Sequence, residues 1–264
     1  MKILFFGDII GEPGRKAIAK ILPEWREKYA PDLVIANGEN LAHGAGVTEK
    51  SLKEILDAGI DVVTSGNHIF NKKEAINLLD DKKVPLIRPA NWPPIPYGTG
   101  YWIAEAGIWK VLVISLNGRL FFRECLDCPF RKASEILEQL DENFDAVVVD
   151  FHAEATSEKK AMGYHLDGKV AAVLGTHTHV QTADEKILPE GTAFISDVGM
   201  VGVADSVIGF EKNGSVEGWL TQVTMKWELA KEGPIEVCAV LVEVDNKTKL
   251  GKKIERLQEL VVID

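Results

Sequence analysis

The sequence lacks the features that mark membrane proteins, disulfide-rich secreted proteins and proteins that coat nucleic acids. No apolar run approaches the ~20 residues that a membrane-spanning helix needs. Three cysteines in 264 residues cannot build a disulfide framework. A net charge of −10, from 40 acidic against 30 basic residues, disfavours a broad surface for an extended nucleic-acid duplex. The apolar start is too short for a signal peptide and runs into Asp8, so we expect a cytoplasmic protein without membrane contact.

Several common catalytic and binding motifs are also absent. The segment GEPGRK at residues 11–16 follows an apolar run, but it has neither the spacing of a phosphate-binding P-loop nor that of a dinucleotide-binding loop. No GxSxG motif is present, which argues against a serine hydrolase. Cys125 and Cys128 form a lone CxxC pair without a second pair, which favours two loop thiols over a redox pair or half of a zinc site.

The composition is that of an ordinary globular protein, with 46% hydrophobic and 27% charged residues. Short apolar runs at residues 2–6, 33–36 and 61–64 alternate with helical patterns at 15–29, 51–58 and 72–79, and this order predicts a mostly parallel sheet. Further strand-like runs at 101–105, 111–116, 146–150, 220–227, 237–244 and 258–263 suggest a second, mixed or antiparallel sheet. Two sheets flanked by helices, a four-layer α/β sandwich, fit this count, and a single doubly wound sheet is the alternative.

Polar residues suited to catalysis follow the ends of the apolar runs. In open α/β sheets, ligands bind outside the carboxyl ends of the strands, so we expect these side chains to meet at one edge. His177 and His179 stand two residues apart, and on an extended segment both imidazoles would share one face. The predicted metal-ligand set comprises Asp8, Glu39, Asn40, Asn67, His152, His177 and His179.

These ligands are oxygen and nitrogen donors without a thiolate, which suits manganese, iron or zinc. Seven donors exceed the needs of one tetrahedral ion and would serve two ions that share a carboxylate. A pair of metal ions about 3.5–4 Å apart is the clamp used for in-line displacement at phosphorus, with a hydroxide between the ions as the attacking group.

The motifs GD at residues 7–8, GNH at 66–68 and GTHTH at 175–179 resemble the pattern of the calcineurin-like metallophosphoesterase superfamily. Two features depart from that pattern: Ile10 stands where the superfamily usually has histidine, and NGEN at 37–40 replaces its GDxxDRG block. Together with GDIIG at 7–11, HAEATSEK at 152–159 and GTHTHVQTADE at 175–185, this version resembles the YmdB-like branch of the superfamily.

The resemblance implies an α/β fold of four layers (αββα), with one domain over residues 1–264 and a dinuclear metal centre. It implies hydrolysis of small phosphodiesters, with 2′,3′- or 3′,5′-cyclic nucleotides as substrates. Iron or manganese are the favoured ions, with zinc as a further candidate. The first ion would bind Asp8, Glu39, Asn40 and His179, and the second would bind Glu39, Asn67, His152 and His177, with Glu39 as the bridge.

His68 directly follows a predicted ligand but faces away from it, since neighbouring side chains point apart. We therefore expect it to act as the general acid that protonates the leaving oxygen. Two other functions remain open: a non-catalytic regulator that binds metal and nucleotide, and a phosphomonoesterase or nuclease built on the same metal core.

Other residues give weaker signals. His43 lies near Glu39 and is either a substrate contact or an exposed side chain, and His165 is interpreted as structural. Trp92, in the proline-rich stretch at residues 89–96, could stack on a base but better fits a packed loop. Arg123 could meet a phosphate from the loop at 117–129. Homo-oligomer formation is left open by the sequence.

Overall fold

The computed structural model describes residues 1–94, 97–140, 143–223 and 225–263. Ile95 and Pro96 at the end of the proline-rich stretch, and the last residue of the predicted domain, lie outside the described residues. The strands are β1 (Lys2–Ile9), β2 (Leu33–Asn37), β3 (Val62–Thr64), β4 (Tyr101–Ala106), β5 (Trp109–Asn117), β6 (Ala146–His152), β7 (Ala172–Thr176), β8 (Lys186–Ile187), β9 (Ala193–Ile195), β10 (Met200–Val203), β11 (Ile235–Val244) and β12 (Gly251–Val261). The α-helices are α1 (Gly11–Tyr29), α2 (Glu49–Asp57), α3 (Glu74–Asp80), α4 (Pro129–Gln139), α5 (Thr156–His165) and α6 (Lys212–Thr221), and a 3₁₀ turn spans Ile69–Asn71.

The first sheet has the order β12-β11-β10-β1-β2-β3. Strands β10, β1, β2 and β3 run parallel, whereas β11 runs antiparallel to β1, β10 and β12. The second sheet has the order β4-β5-β6-β7-β9-β8. Its strands β5, β6, β7 and β9 are parallel, and both edge strands are antiparallel to their neighbours. Both sheets are therefore mixed.

The side chains of β1 show how the layers are assembled. Ile3 and Phe5 face the second sheet and join the core between the sheets, whereas Leu4 and Phe6 face the helices. Trp25 of α1 stacks on Phe6 with ring centroids 5.5 Å apart. A separate apolar cluster joins the outer face of the second sheet to α4 and α5. The layers are thus helix, sheet, sheet, helix, and the predicted four-layer sandwich is confirmed.

Three predictions from the sequence need correction. A single doubly wound sheet is wrong, since two sheets pack face to face. The strands near the carboxyl terminus, β11 and β12, complete the first sheet rather than the second. The predicted strand at residues 220–227 is also wrong: its first two residues end α6, and its remaining described residues lie in no strand. The residues described contain no helix that is both long and apolar enough to cross a membrane.

Candidate metal centre and substrate cavity

All seven predicted ligands lie at one edge, where the carboxyl ends of parallel strands from both sheets meet. Asp8 is near the end of β1, and Glu39, Asn40 and Asn67 follow the ends of β2 and β3 within three residues. His152 ends β6, while His177 and His179 follow β7. The first sheet therefore supplies every oxygen donor, and the second sheet supplies every imidazole.

Glu39, His152 and His177 form the tightest cluster. Glu39 Oε2 lies 3.2 Å from His152 Nε2, and His152 Nε2 lies 3.0 Å from His177 Nδ1. One potential ligand atom from each of the three residues fits within 4.8 Å of the others. Such a group can surround a metal ion.

Asp8, Asn40 and His179 form the adjoining half of the site. Asn40 Nδ2 lies 3.2 Å from His179 Nε2, and Asp8 Oδ1 lies 3.8 Å from the same imidazole nitrogen. Asp8 Oδ1 is also 3.8 Å from His152, so the two halves are contiguous. The other oxygen of Asp8 accepts a hydrogen bond from the backbone N–H of His177 at 3.0 Å.

Two oxygens of the predicted ligand set have no partner. Among the described residues, the buried atoms Asp8 Oδ1 and Asn67 Oδ1 make no hydrogen bond. A buried oxygen left unpaired costs about 1–3 kcal/mol, more when it is charged. A cation between the two sheets would satisfy both atoms, so these residues fit a metal ion.

The three imidazoles are held so that one nitrogen of each faces inward. The outer nitrogen of His152, Nδ1, lies 2.9 Å from Thr176 Oγ1. His177 directs its Nε2 at the Glu154 carboxylate, 3.0 Å away, and His179 directs its Nδ1 at the carbonyl oxygen of Ile208, 2.9 Å away. An outer N–H that donates to oxygen fixes the tautomer and leaves the inner lone pair for a metal.

A buried hydrogen-bond network behind His152 ties the two sheets together. Asp150 on β6 accepts hydrogen bonds from Asn37 at 2.9 Å, from Thr64 at 2.5 Å and from Thr176 at 2.7 Å. Burial raises the pKa of the Asp150 carboxyl to about 6, although His152 opposes the rise. The sequence analysis assigned no role to these four side chains, because their contacts join strands that lie far apart in the chain.

A second buried pair fixes the turn that carries His177 and His179. Lys159 Nζ lies 2.6 Å from Asp197 Oδ2, and both side chains are almost fully buried. The same carboxylate oxygen accepts from the backbone N–H and the hydroxyl of Thr178 at 3.0 and 2.7 Å. The turn itself is left-handed, with φ of 101° at His177 and 64° at His179. The expectation of an extended segment here is therefore wrong, although both imidazoles still reach the site.

The charges of the site act strongly on its histidines. Burial opposes the charged form of His152, but the carboxylates of Glu39, Asp8 and Asp150 together raise its pKa to about 9. Burial, with the neighbouring His152, lowers the pKa of His177 to about 2. The negative potential that favours a proton on His152 would equally favour a metal cation.

His68 lies at the edge of the cluster and is partly exposed. Its Nδ1 lies 2.9 Å from Asn40 Oδ1 and 3.1 Å from Glu39 Oε1. Although burial opposes the change, the Glu39 carboxylate raises the pKa of His68. Within the described part of the chain, no hydrogen bond engages His68 Nε2, which leaves that nitrogen for a ligand.

A cavity of about 560 Å³ opens directly onto the cluster. Its polar lining includes Glu39, His68 and His179, and the rings of Phe210 and Trp227 form an aromatic wall. These two rings contact each other edge to face, with centroids 5.2 Å apart. The sequence analysis missed this aromatic wall, since the two residues stand in a stretch without a motif.

The residues with weaker sequence signals are distributed around this centre. His43 is exposed and lines the cavity, whereas Trp92 packs edge to face on Phe70. His165 lies away from the cluster, 3.0 Å from Ser134 Oγ. Arg123 is exposed, but Phe122 beside it packs on His177 with ring centroids 4.8 Å apart. The 117–129 loop therefore reaches the site through Phe122.

Known proteins resemble this chain in both sequence and fold. The family model described as YmdB-like protein matches residues 4–257. A 2′,3′-cyclic-nucleotide 2′-phosphodiesterase of Bacillus subtilis is 44% identical over 97% of this chain and 96% of its own length. Two crystal structures superpose with TM-scores of 0.92: a hypothetical protein from Thermus thermophilus (40% identical, covering 99% of this chain and 100% of the other) and a novel phosphatase from Mycoplasma pneumoniae (34% identical, covering 98% and 93%). The chain belongs to the YmdB-like family of the calcineurin-like metallophosphoesterase superfamily.

Proposed function

We propose that this protein is a metal-dependent phosphodiesterase that hydrolyses 2′,3′-cyclic nucleotides at the bond between phosphorus and the 2′ oxygen. The observation that carries the proposal is the inward set of donor atoms: three imidazole nitrogens and the oxygens of Asp8 and Asn67 that have no partner among the described residues. His177 and His179 of this set line the substrate cavity. The 44% identity to a relative named for this activity supports the choice of substrate.

We assign two metal ions to this set. One would be held by Asp8, Glu39, Asn40 and His179, and the other by Glu39, Asn67, His152 and His177. Glu39 lies between His152 and His68 and is buried, which suits a bridging carboxylate. Oxygen and nitrogen donors without a thiolate favour manganese or iron, with zinc as a further candidate.

Divalent cations bound here would activate water and neutralise charge on the phosphoryl oxygens. The chain itself supplies the proton that the leaving 2′ oxygen needs. His68 is anchored through Nδ1 to Asn40 and Glu39, its side chain lines the cavity, and its Nε2 has no partner among the described residues. In the hydrolysis a P–O bond to water forms, the P–O2′ bond breaks, and the Nε2 proton passes to the 2′ oxygen.

The aromatic wall provides a place for the base. Phe210 and Trp227 line the same cavity as Glu39, His177 and His179, so a nucleoside in it can contact the rings while its phosphate faces the proposed ligands. Stacking of a base on an aromatic ring contributes about 1–3 kcal/mol and is tolerant of base identity. We therefore expect little discrimination among the four bases.

The direct test is hydrolysis of 2′,3′-cyclic AMP by protein loaded with Mn²⁺ or Fe²⁺, with the products separated by chromatography. The expected product is adenosine 3′-phosphate. Bis-p-nitrophenyl phosphate should also be hydrolysed, and EDTA or Glu39→Gln should abolish both reactions. Glu27→Gln, at an exposed position of α1, is the matched control and should retain activity.

Other outcomes would identify the competing functions. Binding of nucleotide and metal without turnover would indicate a regulatory protein, and release of adenosine would indicate a phosphomonoesterase. Faster cleavage of 3′,5′-cyclic AMP would transfer the assignment to that isomer. Cleavage of linear RNA would indicate a nuclease.

The role of His68 has its own test. His68→Ala should retain the wild-type metal content but lose about 10²- to 10⁴-fold in kcat, the range for removal of a general acid. Loss of metal together with activity would make His68 a ligand and would contradict the assignment.

We also retain two predictions that accompany the function. The core shared by both sheets supports one domain over residues 1–264. A cytoplasmic location remains a prediction from the sequence, which leaves homo-oligomer formation open.

A further inference from the structure

A second cavity, of about 360 Å³, adjoins the substrate cavity. His43 borders both: Ala42 lines the second cavity, and Gly44 and Ala45 line the first. The two spaces are therefore separated by one short loop. No residue of the metal-ligand set or its aromatic wall lines the second cavity.

The second cavity is basic, although the protein as a whole is acidic. Four cationic side chains line it: Arg15, Lys16, Lys50 and Lys231. Glu54 pairs with Arg15 at 2.6 Å, and Glu12 pairs with Lys16 at 2.8 Å. Counted over the described residues, four bases against these two acids leave a formal charge of +2, compared with −10 for the whole chain.

Two of these cations are available to a ligand. Lys50 lies 3.9 Å from Glu54, which is already bound to Arg15, and the Lys50 side chain is 86% exposed. Lys231 is exposed and forms no ion pair with any described residue. Lysine ammonium groups are compact point charges suited to phosphate oxygens.

We infer that this cavity binds a second phosphate of the substrate, attached to the 5′ oxygen of the nucleotide that is cleaved. The inference rests on the proposed function. In a 2′,3′-cyclic nucleotide the ring phosphate occupies both the 2′ and 3′ oxygens, so the ribose can extend only through its 5′ oxygen. Two sources share this chemistry: a nucleoside 5′-phosphate and a short oligoribonucleotide that ends in a 2′,3′-cyclic phosphate.

Binding of two product-like ligands tests the inference without turnover. Calorimetry on the metal-loaded protein should show adenosine 3′,5′-bisphosphate binding roughly tenfold more tightly than adenosine 3′-phosphate, a difference of about 1.4 kcal/mol. The Lys50→Gln/Lys231→Gln variant should bind both ligands equally. The preference should also shrink as salt is raised, because exposed charges are screened.

Lys82→Gln is the matched control. Lys82 is exposed and precedes the segment that pairs with β3 in parallel at Leu86, which places it at the opposite end of the sheet from the site. It should keep the tenfold preference. Lys231→Gln alone breaks no ion pair among the described residues. If the double variant misfolds, this single variant should still show a smaller preference for adenosine 3′,5′-bisphosphate than the wild type.

A kinetic comparison separates the two sources. If the second cavity accepts a phosphodiester, a dinucleotide ending in a 2′,3′-cyclic phosphate should have a lower KM than adenosine 2′,3′-cyclic phosphate. If it accepts only a phosphomonoester, the lower KM should be confined to adenosine 2′,3′-cyclic phosphate that carries a 5′-phosphate. Equal affinity of the wild type for both adenosine phosphates, with adenosine 2′,3′-cyclic phosphate still hydrolysed, would overturn this inference alone. Failure to hydrolyse any cyclic phosphate would instead overturn the proposed function.

Discussion

Gly66 lies so close to the proposed metal ligands His152 and Glu39 that a single methyl group should disrupt them. A Cβ built on Gly66 would stand less than 3.0 Å from the His152 ring and from Glu39 Oε2. Both neighbours are buried and hydrogen-bonded, so neither can swing into solvent. The Gly66 backbone is not in the left-handed region, so Gly66→Ala tests this contact rather than backbone strain.

The expected size of the effect follows from the overlap. Carbon atoms pack at about 3.5–4.0 Å, so the imidazole and the carboxylate must both move by at least roughly 1 Å. A displacement of that size costs on the order of 10²-fold in turnover, and disturbance of a ligand's support costs about 10- to 100-fold in metal affinity. Overpacking should also lower the free energy of unfolding by about 1–3 kcal/mol.

Metal content by mass spectrometry, Mn²⁺ titration and hydrolysis of 2′,3′-cyclic AMP measure these effects. Gly214→Ala in α6 is the control, since among the described residues its Cβ would meet only the carbonyl oxygen of Lys226 at 3.9 Å. That substitution should leave metal content and activity unchanged. Wild-type Mn²⁺ affinity in Gly66→Ala would show that His152 and Glu39 do not act together on a metal.

Three further predictions concern stability and reactivity. Lys159→Met should lower the free energy of unfolding in urea by about 3 kcal/mol, because it leaves the buried Asp197 carboxylate without its cation; a change below about 0.5 kcal/mol would contradict this role. Removal of metal by EDTA should lower the Tm by about 5–10 °C, which is the shift expected when the free metal concentration had been about 100 times the Kd. Added Mn²⁺ should restore the Tm, and an unchanged Tm would argue against a bound metal. Burial raises the pKa of the Cys238 thiol to about 12, so at pH 8 it stays protonated, and Ellman's reagent should titrate two thiols in the native protein and three in denaturant.

The sequence predicted the positions of the seven polar side chains because one rule covers them all: residues that follow parallel strands meet at one edge. The sequence could not predict the hydrogen-bond network that supports these side chains. Asp150 and Thr176 lie within strands, and their contacts to Asn37 and His152 depend on the pairing of segments far apart in the chain. The left-handed turn at His177 was equally hidden, since histidine gives no sign of a positive φ.

The sequence also located helices and strands better than it located their ends. The pattern at residues 15–29 located α1, but the helix begins at Gly11, because Gly11 takes a φ of 59° and turns the chain directly out of β1. The alternation at 220–227 indicated a strand, whereas the helix α6 extends through Thr221 with only Ser215 buried. A helix with so little buried surface has no apolar stripe for periodicity to detect.

The division of the proposed donor atoms between the sheets would link metal binding to the stability of the whole fold. Oxygen donors come from the first sheet and imidazoles from the second, so an ion held by both joins two layers that otherwise meet through apolar packing and a few polar contacts such as Asn37 to Asp150. Without the ion, Asp8 Oδ1 and Asn67 Oδ1 remain unpaired at this junction, and the carboxylates Asp8 and Glu39 face each other across His152. Metal removal should therefore lower the global unfolding transition rather than loosen one loop, and hydrogen exchange should speed up in the core strands of both sheets together. If hydrogen exchange became faster only in the residues around His177, the metal would stabilise the second sheet alone.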